Sequence, residues 1–245
     1  MNKLLKYILI IAAMALCVSY AVLANVKGTA SDDRKVCSSL NVTIADYKEK
    51  KLISNEEIAL LLKTKELNPI GQSLGKIRTK TIEDVIEKHP MVRRAECYKT
   101  PNGEVQIVIE QRNPVLRVAG TENYYVDDLR KTMPVSLNFA AYVPVATGRI
   151  TRKTATGPLF DFARYISRDP FWNDQIAQIN INEKMQVELI PRVGEHIIIL
   201  GTFDRYKQKL EKLRKLYLYG LNEAGWNAYS TINLQFRDQV VCTRK

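Results

Sequence analysis

Tyr7 to Ala24 (YILIIAAMALCVSYAVLA) is a run of eighteen residues without a charge, preceded by Lys3 and Lys6. A helix of that length spans about 27 Å, close to the roughly 30 Å hydrocarbon core of a bilayer, and Val26 can extend it. A segment of this kind enters a membrane. A cleaved signal peptide would share the basic start and the apolar run, with Val22-Leu23-Ala24 as a tolerable cleavage site. The run exceeds the usual signal core of about 7 to 15 residues, which favours an uncleaved anchor. Cys17 follows Leu16, where a lipoprotein signal needs a small residue, so membrane burial accounts for that thiol. The expected layout is a cytoplasmic tail over residues 1–6, a transmembrane helix over 7–26 and an exported remainder, because basic flanks stay inside.

The chain has 37 Lys and Arg against 26 Asp and Glu, a net +11. Two of those lysines and no acid lie in residues 1–26, which leaves +9 outside. No genomic DNA is present there, so the charge points to an anionic membrane surface or a soluble basic face and away from nucleic acid. Two histidines, His89 and His196, and four cysteines, Cys17, Cys37, Cys97 and Cys242, leave little material for a metal centre. Both histidines read as structural, and Asp127-Asp128 reads as a turn. No G-x-S-x-G, glycine-rich phosphate loop or H-E-x-x-H occurs. The sequence argues against an enzyme, and against any metal, cofactor or small-molecule substrate.

At 245 residues the chain has room for two small domains. Residues 27–35 are short and polar, a linker. In 36–117, Leu40, Val42 and Ile44 alternate as in a half-buried strand. Ser54 with Glu57 forms a capping box before Ile58, Leu61 and Leu62, which share a helix face. A second amphipathic run, Thr81 to Lys88, stops before Pro90. Val92–Tyr98 and Glu104–Gln111 flank Thr100-Pro101-Asn102-Gly103 and read as a hairpin. Strand, helix, helix, strand, strand predicts an α+β domain with two helices on one face of a three-stranded sheet. Residues 118–245 read as a β-rich domain. Ile176–Asn182, Gln186–Ile190 and Glu195–Leu200 are strands, followed by a long helix from an Asp204 cap to about Tyr219, with Gly220 as its stop. Lys207, Lys209, Lys212, Arg214 and Lys215 are expected on its outer face, an ordinary solvated surface.

Several strings together resemble one family. His89-Pro90-Met91-Val92 with Ala95 is similar to the helix-to-strand junction of FtsQ/DivIB bacterial division proteins. Glu110-Gln111-Arg112-Asn113-Pro114-Val115 resembles their exit from a POTRA domain, and Tyr124-Tyr125-Val126-Asp127 the opening of their second domain. Val143-Pro144-Val145-Ala146-Thr147-Gly148 resembles a later turn, and Ile232 to Phe236, ahead of Gln239-Val240-Val241, the closing strand. Two departures mark a divergent member. No glycine stands among Asp128-Leu129-Arg130-Lys131, and Asn233 and Gln235 replace the usual charged residues.

The resemblance implies a fold of one transmembrane helix, a POTRA-like domain and a β-rich domain carrying a long helix. It implies a non-catalytic bitopic scaffold at the division septum, with the bulk of the chain outside the cytoplasmic membrane. Its partners would be the small division proteins FtsB (or DivIC) and FtsL. The partner site is expected on the closing strand, at Phe236, Asp238, Val240 and Cys242, because a last strand offers a free edge. Pattern alone also allows Phe236, Val240 and Val241 as simple core. Arg112 and Pro114 are expected to stiffen the joint between domains. The main rival is a POTRA-containing envelope assembly or secretion factor acting as a peptide-binding chaperone. A third reading is an envelope enzyme acting on cell-wall glycan, which requires two carboxylates in one cleft. Cys37, Cys97 and Cys242 allow at most one internal disulfide, with no pairing legible.

Overall fold

The computed structural model describes residues 13–20, 35–136 and 139–245. Residues 13–20 are helical. The expected tail (1–6), the rest of the expected membrane helix (7–26) and all but Lys35 of the linker lie outside the described residues. Among the described residues no helix is long and apolar enough to cross a membrane. Contacts divide the chain into two units after Gln111.

The first unit runs β1 (Ser39–Ile44), α1 (Asn55–Thr64), α2 (Thr79–Ile86), β2 (Val92–Lys99), β3 (Glu104–Gln111). The sheet order is β1-β3-β2, with β1 parallel and β2 antiparallel to β3. α1 starts at the expected capping box: Glu57 N–H donates to Ser54 Oγ at 3.2 Å, and Ser54 N–H donates to Glu57 Oε2 at 2.9 Å. The hairpin turns on Gly103, whose φ of +87° suits the residue without a Cβ. Val105, Ile107 and Ile109 are fully buried in a core shared with Ile58, Leu62, Ile82 and Ile86 of the helices. Gln111 closes this unit. Buried completely, it accepts from Leu52 and Ile53 N–H at 2.9 and 3.1 Å and donates to Asp46 Oδ1 and Lys50 O at 2.9 and 2.7 Å.

The second unit runs β4 (Pro114–Val118), β5 (Tyr124–Asp127), β6 (Thr132–Pro134), β7 (Val145–Gly148), α3 (Arg152–Thr156), α4 (Pro158–Arg168), α5 (Pro170–Gln175), β8 (Ile176–Ile181), β9 (Val187–Pro191) and β10 (Ile197–Gly201). It ends with α6 (Tyr206–Lys215), a π-helical turn over Leu216–Gly220, α7 (Leu221–Ala224), β11 (Tyr229–Asn233) and β12 (Val241–Arg244). Its mixed sheet has the order β12-β11-β10-β9-β8-β7-β4-β5-β6. β4 pairs with β5 and β7, so the boundary falls at 111/112 and not at the expected 117/118. Leu116, Ile179, Leu189, Ile198 and Ile232 of the sheet pack with Phe160, Phe162, Trp172, Leu210 and Tyr217 in one core. Gly148, at φ +92°, is required: a Cβ there would stand 2.1 Å from Ile181 O on the neighbouring strand.

Four features of this unit differ from expectation. The helices α3 to α5 fill residues 152–175, where the β-rich reading named no helix. Each start has a local signal: Thr151 Oγ1 accepts from Thr154 N–H, Pro158 opens α4, and Asp169 Oδ1 accepts from Phe171 N–H ahead of a helix begun by Pro170. Asp204 does not cap α6; Arg205 precedes it in a left-handed conformation, and Asp204 accepts from Thr202 Oγ1 instead. Gly220 does not end the helical segment, which passes through the π turn to a stop at Gly225, φ +89°. Lys209, expected outside, is buried and donates to Leu200 O and Thr202 O at 2.9 and 2.8 Å, tying α6 to the end of β10.

Candidate partner-binding site

The expected closing strand, Ile232 to Phe236, is two elements with a bend between them. β11 stops at Asn233, Leu234 is buried, and residues 235–239 are exposed before β12. The terminal edge therefore lies one strand further on. β12 pairs antiparallel with β11, setting Ile232 opposite Cys242 and Asn233 opposite Val241. Thr231 and Thr243 hydroxyls meet across the pair at 2.9 Å, and the Lys245 ammonium pairs with the Glu195 carboxylate beside β10. That hydrogen bond and charge hold the Glu195 carboxyl below its ordinary pKa.

Phe236 and Asp238 sit in the connecting bend and not on a strand; the Phe236 ring is 46% exposed. Val240 and Cys242 pack partly against the core, and burial pushes the Cys242 thiol pKa up. The side chains that alternate outward are Val241, 39% exposed, and Thr243. The β-branched run Val240-Val241-Cys242-Thr243 carries this alternation in the sequence, but its strand character is visible only once the bend before it is recognised. A second residue missed by pattern is Lys212. Its ammonium donates to Phe236 O at 2.5 Å, Arg237 O at 3.2 Å and Gln239 O at 3.4 Å, so one cation holds the bend that delivers β12.

β12 leaves a row of N–H and C=O groups facing away from β11, the geometry that accepts an added strand. Two other sheet ends are blunted. β6, at the far end of the same sheet, is three residues long and ends in Pro134. In the first unit, Ala95 and Cys97 N–H, two residues apart and so on the same side of edge strand β2, donate to Glu87 Oε1 at 3.1 Å and Glu83 Oε1 at 2.8 Å of α2. Side chains of the helix occupy that edge.

Arg112 and Pro114 belong to the second unit. Arg112 Nε donates to the buried Asp127 Oδ2 at 2.8 Å, and Pro114 opens β4 opposite Asp127. Asp127 also accepts from Leu129 and Lys131 N–H, so Asp127-Asp128 is a turn. His89 Nδ1 accepts from Met91 N–H at the helix-to-strand junction. His196 is buried against Tyr217 with its Nε2 2.8 Å from the hydroxyl, and desolvation lowers the imidazole pKa. The cysteines are free thiols. Among the described residues no three His, Cys, Asp or Glu side chains gather to hold a metal.

The fold and this edge define a two-unit α+β protein whose second sheet has β12 as an edge strand. Residues 35–110 match the POTRA-like domain, and residues 113–243 match the family described as FtsQ/DivIB, C-terminal related. The second match covers more than half of the chain, which belongs to the FtsQ/DivIB family as a divergent member. Cell division protein FtsQ of Geotalea daltonii is 25% identical over 209 residues, 80% of this chain and 73% of that protein.

Proposed function

We propose that this chain is a non-catalytic bitopic scaffold of the bacterial divisome, anchored by residues 7–26 and binding FtsB/DivIC-like and FtsL-like proteins outside the cytoplasmic membrane at the septum. Family membership supports the scaffold role in cell division. The observation that carries the binding mode is β12, a terminal edge strand tied at both ends by Lys212 and Lys245. The partner strand adds to β12, the backbone supplies most of the affinity, and Phe236, Val241 and Thr243 set its register. Asp238 lies on the approach, while Val240 and Cys242 support the strand from beneath. Arg112 and Pro114 remain the proposed joint, tested by small-angle scattering from Pro114→Gly.

The chaperone rival requires an open POTRA edge for client peptides. Glu83 and Glu87 on the β2 amides weigh against that reading. Depletion separates the two in cells. The scaffold reading expects filaments that fail to septate; normal division with defective envelope assembly overturns it.

A further inference from the structure

A charged surface of the second unit lies where α4 meets the start of α6. A cleft of about 690 Å³ is lined by Arg164, Arg168 and Lys207 around the rings of Tyr165 and Tyr206. The two rings meet edge to face at 5.3 Å, and Phe162 backs Tyr206 at the same distance, so the floor is firm. Two acids reach the cleft, and both are taken. Asp161 is paired with Arg130 at 2.5 Å, and Asp169 is paired with Arg214 and accepts from Phe171 N–H. Among the described residues Arg164, Arg168 and Lys207 form no ion pair, and the Lys207 ammonium stands 5.8 Å over the Tyr165 ring. The cleft therefore presents three cations with no carboxylate to answer them.

Arg164 and Arg168 are one helical turn apart, which sets their Cα atoms about 6 Å apart along the axis. Each guanidinium is a fork suited to a carboxylate, and Arg and Tyr are the residue types that anchor protein interfaces. A membrane surface would call for a Leu, Phe or Trp side chain on the rim to insert, and the lining has none. We propose that this cleft docks an acidic segment of a protein partner with carboxylates one helical turn apart. The surface is separate from the β12 edge and does not depend on it.

The test uses the full chain in detergent and a labelled helical Ala/Glu peptide with Glu at i, i+4 spacing, titrated at low ionic strength. Arg164→Gln, Arg168→Gln and Lys207→Gln together should weaken peptide binding about tenfold or more, equivalent to about 1.4 kcal/mol. Lys48→Gln, Lys63→Gln and Lys65→Gln, the same charge change on exposed residues of the first unit, should leave it near the parent value. Trp172 and Trp226 both lie in the second unit, so their fluorescence reports whether each variant is folded. If the triple variant unfolds, Arg168→Gln and Lys207→Gln singly, both on exposed side chains, should each weaken binding measurably. Equal loss in both charge sets, no loss in the cleft variants, or displacement of the peptide by glycerol phosphate, which stands for a lipid headgroup, overturns the proposal.

Discussion

Gln111 shows how much of the first unit rests on one polar side chain. It satisfies two buried backbone N–H groups and, at the part-buried edge of the core, a carbonyl and a carboxylate from the segment between β1 and α1. Gln111→Leu keeps most of the volume and removes the acceptor of buried backbone N–H groups, a loss of about 1 to 3 kcal/mol for each one left unpaired. A loss of about 3 kcal/mol is expected in chemical denaturation of the first unit. His196 gives the second unit a pH dependence of definite sign. Its folded pKa lies below the ordinary 6.5 because burial disfavours the charged ring. Its contribution is therefore complete above about pH 6.5 and is lost as pH falls through the lower folded value. Tryptophan-detected melts should weaken over that window, and His196→Gln should flatten the slope. Arg130 shows why a resemblance can miss a glycine. It takes φ +62° itself, and its side chain offsets the strain by pairing with Asp161, donating to Thr156 O and stacking on Phe160 at 4.5 Å.

At the scale of elements, local signals were legible and long-range ones were not. The Ser54 capping box, the Asn102-Gly103 turn and the alternation of β3 stand in the sequence because each is decided by neighbours a few residues away. The helices between Thr151 and Gln175 went unread although Leu159, Phe160, Phe162, Ala163 and Ile166 recur at helical spacing, because Pro158 and Pro170 cut the segment into short pieces that look like breaks. Lys209 and Lys212 were misread because helix position says which way a lysine points, not which carbonyls another segment brings to it. Lys212→Met tests the second case. The unit should stay folded, lose about 1 to 2 kcal/mol, and show faster amide exchange over residues 236–239. Unchanged exchange there would mean the bend holds itself.

For the whole molecule, the sequence already contained the order of two units and an expected edge at the closing strand of the second. It misplaced that edge by one strand, because Leu234 and Phe236 continue the β11 alternation past the point where the backbone leaves the sheet. The correction moves the outward side chains from Val240 and Cys242 to Val241 and Thr243, since a shift of one residue exchanges the faces of a strand. The central claim is that a partner strand adds to β12. Hydrogen exchange on the intact chain, with and without the extracytoplasmic part of an FtsB/DivIC-type partner, tests it without disturbing the fold. Strong new protection is predicted at those amides of Val241 to Arg244 that face away from β11. Saturating partner that leaves those amides unprotected, or that protects only strands of the first unit, would contradict it.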